Sequence, residues 1–178
     1  MHASALIAFL LLTPSLPDLI SPIDGLSVAS IHDNFAEAHF GHAHEAIDIM
    51  SPKGTPVRAV VSGVVRKLFV SVAGGNTIYQ FDAAGTYCYY YAHLDHYADG
   101  LKEGMQVKAG DVIAYVGFTG NASPLAPHLH FAVTELGPEK QWWKGKVVNP
   151  FPALLEAVKR AKAPTPKPPA SKAHGNAL

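Results

Sequence analysis

Pro127-His128-Leu129-His130-Phe131 holds two histidines two residues apart, flanked by Leu and Phe. Ala132-Val133-Thr134 follow, and the stretch predicts a strand. Residues i and i+2 of a strand point to one face. His128 and His130 therefore present two imidazoles side by side, with Leu129 and Phe131 turned to the core. Neutral imidazole is a common metal ligand and a base that titrates near neutral pH. A second stretch with chemistry is His44-Glu45-Ala46-Ile47-Asp48-Ile49-Met50. Ile47 and Ile49 alternate with Ala46, Asp48 and Met50, which predicts a strand with His44, Ala46 and Asp48 on one face. Ala46 leaves room between the outer two, so an imidazole and a carboxylate could meet one metal ion. His93, in Tyr91-Ala92-His93-Leu94-Asp95, is the third place. Catalytic zinc takes three N or O protein ligands and keeps a fourth position open. Five candidates exceed that need. The surplus imidazoles suit taking a proton from water and stabilising an oxyanion.

Composition narrows the choices. Fourteen Lys and Arg balance fourteen Asp and Glu, which argues against nucleic acid or an anionic lipid surface as the main partner. A single cysteine excludes an internal disulfide and a thiolate cluster, so any metal falls to His and Asp/Glu. Ten histidines are the unusual number.

The elements that must position these residues are short. Residues 1–17 contain an apolar run, Ala3 to Leu12, of signal-peptide length and too short to span a membrane. Export to the periplasm or cell envelope is the expectation. Residues 18–43 look irregular, with short strands at most, and His32, His39 and His42 there lack a spaced partner. Gly54-Thr55-Pro56-Val57 and Gly104-Met105-Gln106-Val107 open two similar units, a weak internal repeat. Asn76–Phe81 and Tyr87–Tyr91 alternate around Asp82-Ala83-Ala84-Gly85 and predict a hairpin. Alternation puts Tyr89 and Tyr91 on one face of it and Tyr90 on the other. Such regular strands predict an antiparallel all-β domain over 18–152. Leu154, Leu155 and Val158 predict a helix over 153–162, with Lys159, Arg160 and Lys162 at its C-terminal end. Four prolines with Ala, Lys and Ser predict a disordered or polyproline tail over 163–178.

In order, His44-Glu45-Ala46-Ile47-Asp48-Ile49, Gly54-Thr55-Pro56-Val57, Ala92-His93-Leu94 and Pro127-His128-Leu129-His130-Phe131 resemble the lysostaphin-type (LytM-like) zinc metallopeptidases, which cut peptide bonds in peptidoglycan. The resemblance runs from about Gly25 to Glu135. It implies one zinc ion held by His44, Asp48 and His130, and catalytic imidazoles at His93 and His128. It implies a barrel-like antiparallel β sandwich of the duplicated hybrid motif kind, with a groove over the metal and peptidoglycan peptides as partner. Ala46, Ala126 and Ala132 depart from the family's frequent Gly, Gly and Glu, without touching a ligand.

Other readings compete. His44-Glu45-x-x-Asp48 could be a helical variant of the HExxH motif with Glu45 as base, against which Ile47, Ile49, Pro52 and Gly54 argue. A catalytically weak envelope protein that binds peptidoglycan or activates wall hydrolases is the alternative function. Glu103–Val107 and Gly110–Ile113 resemble carrier-domain strands, but no lysine sits at the hairpin tip.

Overall fold

Glycine and proline punctuation keeps the strands of this chain short. The computed structural model describes residues 16–39 and 41–162. The expected tail, and the expected N-terminal segment apart from Leu16 and Pro17, lie outside the described residues. In chain order the strands are β1 (Ala38–His39), β2 (His42–Ala43), β3 (Ile47–Met50), β4 (Pro56–Arg58), β5 (Gly63–Ser71), β6 (Gly75–Asp82), β7 (Tyr87–Tyr97), β8 (Gln106–Val107), β9 (Val112–Val116), β10 (His128–Leu136) and β11 (Gly145–Val148). Helix α1 spans Phe151–Lys162, two residues ahead of the expected start. Its first turn is set by Asn149, whose side-chain oxygen accepts the Phe151 N–H at 2.9 Å. All ladders are antiparallel, as expected. The main sheet runs β11-β10-β7-β6-β5-β8, with β3 on β10, β9 on β7 and β4 on β9. The 76–81/87–91 hairpin is present as β6 and β7, turning at Gly85 with φ 63°. The strand at β11 and the small β1–β2 hairpin carried no clear sequence signal.

The internal repeat takes a physical form. β4 pairs with β9, and β5 with β8. Each unit thus lends its first strand to the second strand of the other. The end bonds match as well. The Gly54 N–H donates to the Val116 carbonyl and the Gly104 N–H to the Val65 carbonyl, both at 2.8 Å.

The core lies between this strand pair and the inner face of the main sheet. Ile47, Ile49, Val57, Ile78, Tyr89, Tyr91, Leu94, Ile113, Leu129 and Phe131 are sealed from solvent. Tyr91 threads a polar line through it. Its hydroxyl accepts the Val60 N–H at 3.1 Å and donates to Gln80 Oε1 at 2.8 Å, while Gln80 Nε2 donates to the Val61 carbonyl. Buried polar groups satisfied in this way fix one arrangement of their strands. The segment before β1 is irregular, as expected, yet belongs to the core. Leu19, Ile23 and Ile31 are buried in it. Arg58 clamps that segment through the Asp24 carboxylate and the Gly110 carbonyl. Among the described residues no helix is long and apolar enough to cross a membrane.

Candidate active site

β10 alternates as its sequence demands. Leu129 and Phe131 are fully buried, and His128 and His130 are half-buried on the opposite face. Antiparallel pairing sets Asp48 of β3 directly across from His130, and Ala92 of β7 across from it on the other side. Ala92 is short enough to leave the rings space.

His44 arrives by a different route from the one its spacing predicts. The strand begins at Ile47, not His44, and Ala46 and Ile47 are both buried, so the shared face of 44, 46 and 48 does not form. The reason is Glu45, whose φ of 57° lies in the left-handed region and turns the chain. Backbone bonds hold that turn: the His44 N–H donates to the Glu37 carbonyl and the Glu45 N–H to the Phe35 carbonyl. The turn swings the His44 ring over β3 and leaves Glu45 exposed. The segment is not helical, so the HExxH variant has no structural basis.

Three donor atoms then converge. His44 Nε2 is 3.2 Å from Asp48 Oδ1 and 3.2 Å from His130 Nδ1, and His130 Nδ1 is 3.1 Å from Asp48 Oδ1. A hydrogen can satisfy one edge of such a triangle, whereas a cation satisfies all three. Donors about 2.0 Å from a tetrahedral zinc stand roughly 3.3 Å apart, close to the edges seen. Two imidazoles and one carboxylate are also the donor set zinc accepts at a catalytic site. The residues present therefore fit a zinc ion. Asn34 braces two of them: its carbonyl accepts His44 Nδ1–H at 3.3 Å, and its side-chain oxygen accepts the Asp48 N–H at 3.3 Å. That bond leaves His44 Nε2 as the lone-pair nitrogen.

Two further imidazoles lean over the triangle. The His93 ring lies 4.8 Å from that of His128 and 5.6 Å from that of His130. Each is oriented by the backbone. His93 Nδ1–H donates to the Thr119 carbonyl at 2.8 Å and His128 Nδ1–H to the Ala126 carbonyl at 2.9 Å. Nε2 is the basic nitrogen of both rings, and that of His128 lies 3.7 Å from Asp48 Oδ1. His93 itself has φ 58°, a strained backbone held by its N–H bond to the Gly74 carbonyl.

Burial dominates the electrostatics. It lowers the His93 imidazole to about 4, against the bond to Thr119 and with help from the His128 and His130 charges. Burial lowers His130 as well, opposed by Asp48. For Asp48 burial pushes upward, but the His130 hydrogen bond and the charges of His130, His128 and His44 hold the carboxyl below its ordinary value. Burial thus favours neutral rings at His93 and His130, beside a carboxyl of Asp48 that is held ionised.

The five candidate side chains are brought together. His96 stacks on Tyr115 and bonds Asp95, which also pairs with Lys53 and does not orient His93. His32 is exposed, and the side chains of His39 and His42 lie outside the described residues. Sequence reasoning missed Asn34, Thr119 and Ala126. All three act through backbone carbonyls, which any residue supplies, and Asn34 adds its side-chain oxygen. Alternation assigns Tyr90 only to a face, and in the structure its ring meets His130 edge-on at 6.0 Å.

This fold has known counterparts. The sequence model of peptidase family M23 matches residues 42–150, and the chain belongs to that family. It is 34% identical over 116 residues to the L-Ala–D-Glu endopeptidase of Bacillus subtilis, covering 62% of this chain and 34% of that protein. It aligns with the crystallised catalytic domain of lysostaphin from Staphylococcus simulans at TM-score 0.58 and 31% identity, over 70% of this chain and 88% of that one. A zinc-containing peptidase from Vibrio cholerae aligns at TM-score 0.58 and 25% identity, over 78% of this chain and 40% of that one. The chain thus spans about a third of the Bacillus protein's length.

Proposed function

We propose that this chain is a zinc-dependent endopeptidase that hydrolyses peptide bonds of peptidoglycan cross-links or stem peptides in the cell envelope. The observation that carries the reading is the triangle of His44 Nε2, Asp48 Oδ1 and His130 Nδ1, with edges of 3.1–3.2 Å, beneath the rings of His93 and His128. Membership of peptidase family M23 supports it. His44, Asp48 and His130 would hold the ion, which supplies positive charge that acidifies water and polarises a carbonyl. His93 and His128 do the proton work at Nε2. One takes the proton of the attacking water and passes it to the leaving amine. The other, when it holds a proton at Nε2 as well as at Nδ1, donates a hydrogen bond to the oxygen of the attacked carbonyl. Their Nδ1–H bonds to Thr119 and Ala126 leave Nε2 of each ring as the atom that gains and releases a proton. Low intrinsic basicity at His93 keeps its ring neutral at neutral pH.

Digestion of purified sacculi with and without chelator, with products identified by mass, tests the proposal. The expected result is one zinc per chain and release of cleaved peptides, abolished by chelator and restored by zinc. Zinc-loaded protein that leaves sacculi and muropeptides intact would overturn it in favour of a binding or activating role.

A further inference from the structure

The strand face that carries His128 and His130 continues into a second feature. Ala132 and Thr134 follow at two-residue spacing, and both are half-buried. Ala132 lies across from Tyr90 and Thr134 across from Cys88, while Tyr79 flanks Tyr90 on the far side. The loop from β10 to β11 folds Trp142 and Trp143 back over this patch, enclosing a cleft of about 260 Å³. Its rings form an unbroken file. Tyr90 touches His130 at 6.0 Å between centroids, Tyr79 follows at 4.7 Å, Trp142 at 4.6 Å from Tyr79, and Trp143 at 5.2 Å from Trp142. Trp142 is anchored on the small cluster of Phe81, Cys88 and Leu136, but Trp143 is 63% exposed. Ala132 keeps the cleft open beside Tyr90.

The lining pairs aromatic faces with polar edges. Tyr79, Tyr90 and Thr134 bring hydroxyls, Lys144 brings a cation, and no carboxylate lines the cleft. A pyranose ring matches this pattern, with apolar C–H faces that stack on rings and polar substituents around its rim. Tyr and Trp suit such an occupant because each joins an apolar body to a polar handle. The volume is below that of drug-sized pockets, about 300–1,000 Å³, and fits one ring. We propose that this cleft is a glycan subsite, holding an N-acetylhexosamine ring of the polysaccharide strand to which the peptide substrate is attached. The proposal rests on the peptidoglycan reading above and adds a substrate determinant to it. Thr134 lies about 13 Å along the strand from His130, and Ala132 about 7 Å. A sugar seated there leaves room for about two to four extended residues before the ligand triangle. The site then favours bonds close to the glycan.

The test is a tryptophan-fluorescence titration of the full chain with the tetramer of N-acetylglucosamine, which contains no peptide. Saturable binding is expected. Trp143→Ala and the cleft-filling Ala132→Leu should each weaken it at least tenfold with zinc content unchanged. Absent saturation in the unmutated chain, or equal binding by Trp143→Ala, overturns the proposal. A kinetic arm compares a disaccharide-bearing muropeptide with the same peptide lacking sugar. KM should be at least fivefold lower for the former, and the ratio should fall toward one in Trp143→Ala with kcat held. If Trp143→Ala instead raises KM equally for both, the cleft holds a peptide side chain and the glycan assignment is wrong. If neither peptide is cleaved, the peptidase reading fails, and the tetramer titration still decides the cleft.

Discussion

At the scale of single residues, backbone bonds decide which ring nitrogen three of these histidines leave for the centre. His44, His93 and His128 all give Nδ1–H to a main-chain carbonyl, whereas His130 turns Nδ1 toward Asp48. His130→Ala should therefore lose zinc, while His128→Ala should retain it and lose about 10²–10⁴-fold in kcat, the span usual for a general acid or base. Metal analysis beside single-turnover kinetics separates the two, and normal cleavage by His128→Ala would refute the assignment. Asn34 acts at one remove, by holding the Asp48 backbone and the His44 tautomer. Groups that orient metal ligands are worth about 10–100-fold in affinity. Asn34→Ala keeps the carbonyl but loses the side-chain bond, so a zinc affinity about tenfold weaker is expected in a chelator competition. The buried His93 ring adds a pH dependence. Its folded value of about 4 lies below the roughly 6.5 of an unfolded histidine. Between those limits the unfolded chain binds the proton and the folded chain does not. Stability of the zinc-free protein should then be full above about pH 6.5 and decline as pH falls toward 4. Urea midpoints at pH 7 and pH 5 measure this, and the decline should be smaller in His93→Gln, with His130 supplying part of the remainder.

At the scale of elements, close backbone approaches aim these side chains. Gly117 follows β9 where it crosses β7. A Cβ at this position would stand 2.4 Å from the Asp95 nitrogen and 2.8 Å from the His93 carbonyl oxygen. Gly117→Ala must therefore push β7 and β9 apart beside His93, the residue proposed to carry a catalytic ring. Overpacking of this kind costs about 1–3 kcal/mol. A lowered urea midpoint with reduced kcat and unchanged zinc content is the expected result. The strands themselves were legible in advance, since Leu129, Phe131, Ile47 and Ile49 declare the buried face. The entry to β3 was not. Periodicity extended the strand back to His44, and only the left-handed Glu45 shows that the chain turns there. Nothing in the letter Glu marks that conformation, which Gly or Asn more often adopts.

At the scale of the whole molecule, the reciprocal strand pairs and the irregular leading segment close one core around the back of the site. Ile23 is 2% exposed and sits in a segment tied by Arg58 to Asp24 and by Arg160 to the Leu19 carbonyl. Ile23→Ala should cost about 2–5 kcal/mol, the range for buried Ile or Leu truncation. Equilibrium unfolding checks it, and a cost near zero would mean that this segment is only draped on the surface. The same packing places Asn34 beside His44 and Asp48, so core and centre share a support.

The residue types and their order, taken alone, determined the antiparallel β class and the alternating faces of β10, and they singled out five candidate side chains, three for an ion and two for proton transfer. These are local properties: a strand repeats every two residues, and imidazole and carboxylate carry their chemistry wherever they sit. What only the tertiary structure decided was the meeting itself. His44 and His130 are 86 residues apart, yet their ring nitrogens lie 3.2 Å from each other. Strand register, the turn at Glu45 and carbonyls contributed by Asn34, Thr119 and Ala126 set that distance and each ring's tautomer. Backbone atoms are the same in every residue, so no reading of side-chain letters could assign them these roles.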